Sequence, residues 1–410
     1  MNAKKLLALF LSAMLCLSAL PLSAASAADP AWEKLRMEIE TYNYIIGAND
    51  IGPGYHFTDA DPVLEAADRI LAWGSNMVKF TAGSNPGRVF EVLGGRDFDY
   101  VFVWFRSGAP FLDGYSDEEA QADYDAFYAL TARLLRTYNG TGKTFYLGHW
   151  EGDWYYLDGY DTGKQKVDDV ATEGMIAWIN TRQRAVDDAK RDVPHADVDV
   201  WNYLEVNRPT DAMNKGYDRV VNRVLPYTNV DYVSYSAYDS KGGSTRAIKK
   251  VIDYIYENLP EKSGVPQPRV FVGEIAEPAS SYDYNDLRHC EGNLRLMVKY
   301  LSCDVRFCLY WEMYCNGTTD DGRSKGFWLV DSDGNETLLY KKLQRVFSDG
   351  REYVERFAER NGRVPTEREY RAFLLSHPAF AAARVGVFFE DLVYPFKQLV
   401  KKLGDLFQTA

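Results

Sequence analysis

From residue 42 onward the chain alternates short, nearly continuous apolar runs with longer stretches of helical period. The runs are YNYIIGAN (42–49), NMVKFTAG (76–83), DYVFVWF (99–105), KTFYLGHWE (143–151), DVDVWNYLE (197–205), VDYVSYSAY (230–238), RVFVGE (269–274) and VRFCLYWE (305–312). They are rich in Val, Ile, Phe and Tyr and apolar on both faces, which predicts parallel strands covered on both sides. Between them, TDADPVLEAADRILAWG places Asp61 at a helix N-cap, Pro62 in the first turn and Gly74 at the stop. Ser116 and Glu119 form a capping box ahead of a helix ending near Tyr138. Residues 167–191, 211–224, 244–258 and 284–301 predict further helices, and NPGRVFEVLGG a short one.

Eight strands alternating with helices predict an α/β fold of the (β/α)8 TIM-barrel type. A doubly wound open sheet would be expected to carry a glycine-rich phosphate turn. The first turn here, GANDIGPG, lacks GxGxxG, and no P-loop motif is present. Within GFWLVDSDGNETLLYKKLQRVF the pattern predicts a short strand, a turn and the closing helix, so the barrel is expected over 28–349. A helical C-terminal extension is expected over 350–410, with a capping box at Thr366 and Glu369 and a break at Pro395. Its last stretch, AFAAARVGVFFEDLVYPFKQLVKKLGDLF, is amphipathic. Packing on the barrel is the ordinary reading; docking to the cell envelope or a partner is the sharper one.

The first residues set the expected compartment. MNAKK is a positive head, LLALFLSAMLCLSALPL an apolar run, and SAASA a small-residue end. This predicts a secretory signal peptide over 1–27, cleaved after Ala25-Ser26-Ala27, and a secreted or envelope protein of bacterial type. The run is short for a membrane anchor, so no transmembrane segment is expected in the mature chain. Leu15 before Cys16 argues against a lipoprotein. Loss of Lys4 and Lys5, with no acid lost, moves the net charge from −12 to −14. Such a chain is a poor match for nucleic acid or an anionic membrane and a better one for a neutral substrate.

Four cysteines remain: Cys290, Cys303, Cys308 and Cys315. Export permits a disulfide, and three pairings are open. With no CxxC spacing and only His289 nearby, one structural disulfide or buried free thiols are expected rather than a metal. His56, His149, His195, His289 and His377 are too scattered to predict zinc, and no cofactor is expected.

In a barrel of this type the chemistry sits at the C-terminal ends of the strands. Those ends carry Asn49-Asp50, Lys79, Trp104 with Arg106, His149-Trp150-Glu151, Glu205 with Asn207, Tyr235 with Tyr238, Glu274, and Trp311-Glu312. Glu151 and Glu274 stand out, because strands four and seven face each other across the mouth of such a barrel. Two carboxylates about 5–5.5 Å apart are what a retaining glycosidase requires, one protonated and one ionised. Desolvation between Trp150 and Trp154, helped by Asp153, is expected to keep Glu151 neutral. Glu274 would need donors, Tyr235 first. Glu205 is the rival acid; Glu277 and Glu312 are substitutes if the strand ends shift. If Trp311 faces the pocket, Glu312 would point to the helix side.

From about 42 to 345 the chain resembles the retaining (β/α)8 glycoside hydrolases of clan A, on YIIGAN, DYVSYSAY, VFVGE, CLYWE and GFWLVDSDGNETLLYKKL. The resemblance implies Glu151 as acid/base, Glu274 as nucleophile, and Tyr235 and Trp311 as sugar-site residues. Trp150 stands where the clan usually has asparagine, and Lys79 where it often has arginine. Aromatics at the strand tips and following loops, among them Trp104, Trp150, Trp154, Tyr155, Tyr156, Tyr238, Trp311 and Tyr314, suit sugar faces. Asn49, Lys79, His149, Glu205 and Asn207 complete the expected substrate-binding set. The expected function is an exported retaining glycoside hydrolase acting on an oligo- or polysaccharide. A non-catalytic carbohydrate-binding or cell-envelope barrel is the alternative.

Overall fold

A computed structural model describes residues 30–408; the expected leader, 1–27, lies outside them. Eight parallel strands close in chain order into one barrel. They are β1 (Ile46–Asp50), β2 (Met77–Gly83), β3 (Tyr100–Phe105), β4 (Thr144–Gly148), β5 (Asp199–Val206), β6 (Tyr232–Ser236), β7 (Val270–Ile275) and β8 (Cys308–Tyr310). The fold is the expected (β/α)8 barrel with added C-terminal helices.

The double-sided apolarity of the strands has a physical origin. On β3, Val101, Val103 and Phe105 pack outward under the helices, while Phe102 and Trp104 fill the interior. The interior is largely aromatic: Phe102 stacks on Tyr146 at 4.6 Å between ring centroids, and Tyr232, Phe271 and Phe307 complete the layer. Rings this large need gaps on neighbouring strands, and glycine supplies one: a Cβ on Gly148 would lie 2.4 Å from the Tyr203 ring.

The outer helices start and stop on the chemistry the sequence carries. Asp61 accepts from the amides of Val63 and Leu64, and Gly74 ends that helix at φ 107°. Ser116 and Glu119 form their capping box, as do Thr366 and Glu369. Four local differences appear. A helix at Pro30–Glu40 precedes the barrel. The expected helix over 211–224 is divided into Pro209–Lys215 and Val220–Arg223, because Gly216 turns the chain at φ 67°. The aromatic stretch after β4, read as loop, contains the helix Gly152–Leu157. The helix Leu338–Asn361 runs unbroken through the expected boundary at 349/350. Gly350 serves close packing there rather than a break: a Cβ would lie 2.5 Å from the Tyr370 hydroxyl.

The chain ends in helices Glu367–Ser376 and Pro378–Gln408, and Pro395 lies inside the latter without ending it. Among the described residues no single helix is long and apolar enough to cross a membrane; these last two pass that test only as a pair bent by 81°. Cys290, Cys303, Cys308 and Cys315 are buried free thiols.

Candidate active site

At the C-terminal end of the barrel, polar side chains replace the aromatic layer. The lower tier belongs to Lys79, Glu205 and Ser234. Lys79 Nζ lies 2.7 Å from Glu205 Oε2 and 3.4 Å from Glu274 Oε1, and it caps the Gly273 carbonyl at 3.3 Å. Its ammonium also sits 4.5 Å from the centre of the Trp104 ring. Ser234 Oγ donates to Glu205 Oε2 at 2.6 Å. The other Glu205 oxygen accepts the Glu151 amide at 3.0 Å, which fixes the chain just past β4.

The upper tier contains the two acids at the mouth. Ser236 Oγ is in hydrogen-bond contact with Glu151 Oε1 and lies 3.3 Å from Glu274 Oε2. Two acceptors of one hydroxyl are no farther apart than two hydrogen-bond lengths, about 6 Å. Trp154 Nε1 donates to Glu151 Oε2 at 2.7 Å. Both acids are nearly covered, Glu151 at 9% and Glu274 at 3% exposure.

A bulge aims Glu274. Phe271 points inward and Val272 outward, so simple alternation would send Glu274 toward the helices. The β6–β7 pairing instead steps from Tyr235 opposite Val272 to Ser236 opposite Glu274, which leaves Gly273 over. That extra residue turns the glutamate into the mouth. Only glycine fits there: a Cβ would meet Ser234 Oγ at 2.0 Å, Glu205 Oε2 at 3.0 Å and Lys79 Nζ at 3.3 Å. Gly273→Ala is therefore expected to cost about 1–3 kcal/mol of stability as an overpacked core change. Thermal unfolding reads the loss, and an unchanged midpoint would show that the cluster is looser than described.

Burial raises both mouth acids. Glu151 is pushed up to about 7 by desolvation, with the Glu205 carboxylate adding to the rise and the Ser236 and Trp154 hydrogen bonds opposing it. Glu274 is also driven upward by burial; the Lys79 ammonium pulls against this, and Glu151 and Glu205 push with it. A hydroxyl carries one hydrogen and cannot donate to two carboxylates at once, so the trio is satisfied when one acid holds a proton. Glu274 is the member within reach of Lys79, so the negative charge is best placed there and the proton on Glu151.

Other expected site residues lie elsewhere. Tyr235 faces the helix layer, where its hydroxyl is hydrogen-bonded to Asp239 and to Ser240; it does not serve Glu274. The inward positions of β6 are the serines on either side of it. Asp153 does not act on Glu151: it is buried, accepting the amides of Asn207, Arg208 and Val220. Asn207 returns the contact through the Asp153 amide, so it braces the loops. Asn49 donates to the carbonyls of Gly273 and Tyr310.

His149 is an orienting group. Its Nδ1 is 2.8 Å from the Trp150 carbonyl, and Nε2 faces the Glu205 amide at 3.5 Å. Burial pushes the ring down to about 3, so it is neutral. Glu312 is buried and accepts the Asn316 amide at 3.0 Å, while Glu277 pairs with Lys241. Among the described residues no cluster of His, Cys, Asp or Glu has the makings of a metal site.

Some of the strand-tip and loop aromatics gather in pairs and small groups. Trp104 lies 6.3 Å from Trp311. Trp150 and Trp154 gather around Tyr160, at 6.5 Å and 5.3 Å. Tyr160 is exposed. Tyr238 lies near Glu274 and Glu151, which help burial to raise its hydroxyl. Tyr156 is buried against Thr172, and Tyr314 packs on Tyr55 and Phe57.

No family model and no curated protein matches this chain. Solved structures do. A family 39 glycoside hydrolase from the gut symbiont Bacteroides cellulosilyticus WH2 superposes with a TM-score of 0.51 at 14% identity, over 76% of this chain and 64% of that one. An exo-β-1,4-mannosidase from Opitutaceae bacterium strain TAV5 gives 0.48 at 11% identity, over 75% of this chain and 60% of that one. The chain thus spans less than two thirds of the length of these neighbours. At such identities the likeness is one of fold, and at that level the resemblance to the (β/α)8 glycoside hydrolases holds.

Proposed function

We propose that this chain is an exported glycoside hydrolase that cleaves its substrate with retention, by double displacement. Glu151 serves as acid/base and Glu274 as nucleophile. The observation that supports the reading is the Ser236 hydroxyl shared between the two carboxyls, a spacing that suits one sugar ring between them. The fold likeness to a family 39 glycoside hydrolase supports it.

In the first step Glu274, charged beside Lys79, attacks the anomeric carbon while Glu151 protonates the departing oxygen. In the second, Glu151, now ionised, takes a proton from water, which displaces Glu274. Trp104, Trp150, Trp154 and Trp311 offer flat faces to the C–H surfaces of an oligo- or polysaccharide. The leader sequence is the ground for export.

The test is a panel of aryl glycosides, with the anomer of the first-formed sugar read by NMR. Retained configuration is expected. An inverted product would reject the double displacement. Sugar binding without turnover by the unaltered protein would favour the carbohydrate-binding barrel, a reading for which Trp150 beside Glu151 speaks.

Two further outcomes follow from the geometry. Ser236→Ala removes the donor shared by both acids and is expected to lower kcat/KM about 10–100-fold with little change in KM. An effect on KM alone would place Ser236 in substrate binding. Glu151 must hold its proton for the first step, so kcat/KM is expected to fall as pH rises through about 7. A profile flat to pH 9 would remove Glu151 from that role.

A further inference from the structure

The C-terminal helix Pro378–Gln408 has its faces reversed relative to an ordinary surface helix. Phe380, Ala383 and Val387 are buried on the side toward the barrel. On the opposite side run Val385, Phe389, Leu392, Phe396, Leu399 and Leu403, between 46% and 69% exposed. Their spacing of four and three residues keeps them on one line for about 27 Å. A helix packed on a barrel presents a polar outer face; this one presents its most apolar face to the outside.

The helix also outruns its support. Glu390 pairs with Arg295 at 2.9 Å and Lys299 at 2.8 Å, and Asp391 accepts the Thr245 amide at 2.9 Å. Among the described residues these are the last hydrogen bonds and ion pairs that join the helix to the barrel. From Leu392 to Val400 every residue but Tyr394 is exposed.

We propose that this helix docks the protein on an anionic lipid bilayer, lying in the plane of the surface with its outward stripe among the acyl chains. Charge selects the partner. Residues 392–410 carry Lys397, Lys401 and Lys402 against Asp405, a net charge of +2 in a chain of net −12. The acidic total argues against attraction of the whole body to such a surface. The Debye length at physiological salt is about 8 Å, so the local basic segment governs the contact.

Width separates this reading from pairing of two copies. Val393 and Val400 broaden the stripe to an arc of about 120°, and they occupy positions where a two-stranded coil carries charged residues that set its register. A broad apolar face with a basic flank fits a flat lipid surface. The helix does not need to span it, and by length and composition it does not qualify to. The proposal stands apart from the glycosidase reading.

The test is flotation of the full-length protein with phosphatidylcholine vesicles, with and without phosphatidylglycerol. Binding to the anionic vesicles is expected. Leu392→Glu combined with Phe396→Glu should lower the bound fraction roughly tenfold or more. Lys397→Glu should lower anionic binding about fivefold while leaving the weak binding to neutral vesicles unchanged. All three positions are exposed, so the variants should melt like the parent by circular dichroism. Absence of flotation overturns the proposal, as does binding that the double variant retains. So does a lipid-free dimer, seen by sedimentation, that the double variant abolishes, since the stripe would then serve a second copy.

Discussion

Glu274→Gln is expected to lower kcat/KM on every aryl glycoside cleaved by the parent protein by roughly four orders of magnitude or more. The amide keeps the shape but cannot attack carbon, and nothing else in the mouth is placed to replace it. Glu205 shares Lys79 with Glu274, but Lys79, Ser234 and the Glu151 amide occupy both its oxygens. Glu151→Ala is expected to behave differently. A dinitrophenyl leaving group departs without a proton, so the first step should persist while the second stalls. Added azide, which needs no general base, should restore turnover and yield a glycosyl azide of retained configuration. A merely structural glutamate would show no such rescue. If Glu274→Gln keeps a tenth of the activity, or azide does nothing for Glu151→Ala, the assignment of roles fails.

The fold was legible because its cause is local. A barrel strand covered by helices outside and rings inside must be apolar on successive residues, and DYVFVWF or VDYVSYSAY can hardly be anything else. The acids at the tips of β4 and β7 were legible for a related reason: carboxylates that directly follow apolar runs in a barrel end up at its mouth. Their surroundings were not. Strand alternation assigns faces only while the register holds, and Gly273 interrupts it. Counting along β6 could have found Ser234 and Ser236, since Tyr232 and the two serines share one face, but the larger tyrosine between them drew the assignment. Asp153 illustrates a longer-range failure. Two residues from Glu151 in sequence, it is held by amides at 207, 208 and 220, which no local pattern reveals.

The tail shows the same division between local and distant causes. Caps at Thr366 and Glu369 were readable, because a helix start is encoded within four residues. The passage of one helix through 349/350 was not, since the contact that Gly350 accommodates comes from Tyr370 on the next helix.

Lys79→Met is expected to cost about 3–5 kcal/mol, the penalty for leaving buried carboxylates without their cation. Lys79 and Glu205 are both wholly buried, and Lys79 is the only ammonium or guanidinium bonded to Glu205 or Glu274 among the described residues. Methionine fills similar volume, so lost packing contributes little. The expected fall in melting temperature is of the order of 5–10 °C near neutral pH. Its pH dependence identifies the cause. Lys79 opposes the rise that burial imposes on Glu274, so without it the folded-state pKa of Glu274 would stand still further above its unfolded one. Stability from such groups is present at low pH and lost as pH rises through the folded values. The gap between parent and variant should therefore widen from pH 5 to pH 8 and narrow on acidification, when protons replace the missing charge. A gap of constant size would point to packing. A variant as stable and as active as the parent would mean that Lys79 does not hold Glu274 in its charged form, and the division of one proton between Glu151 and Glu274 would lose its physical basis.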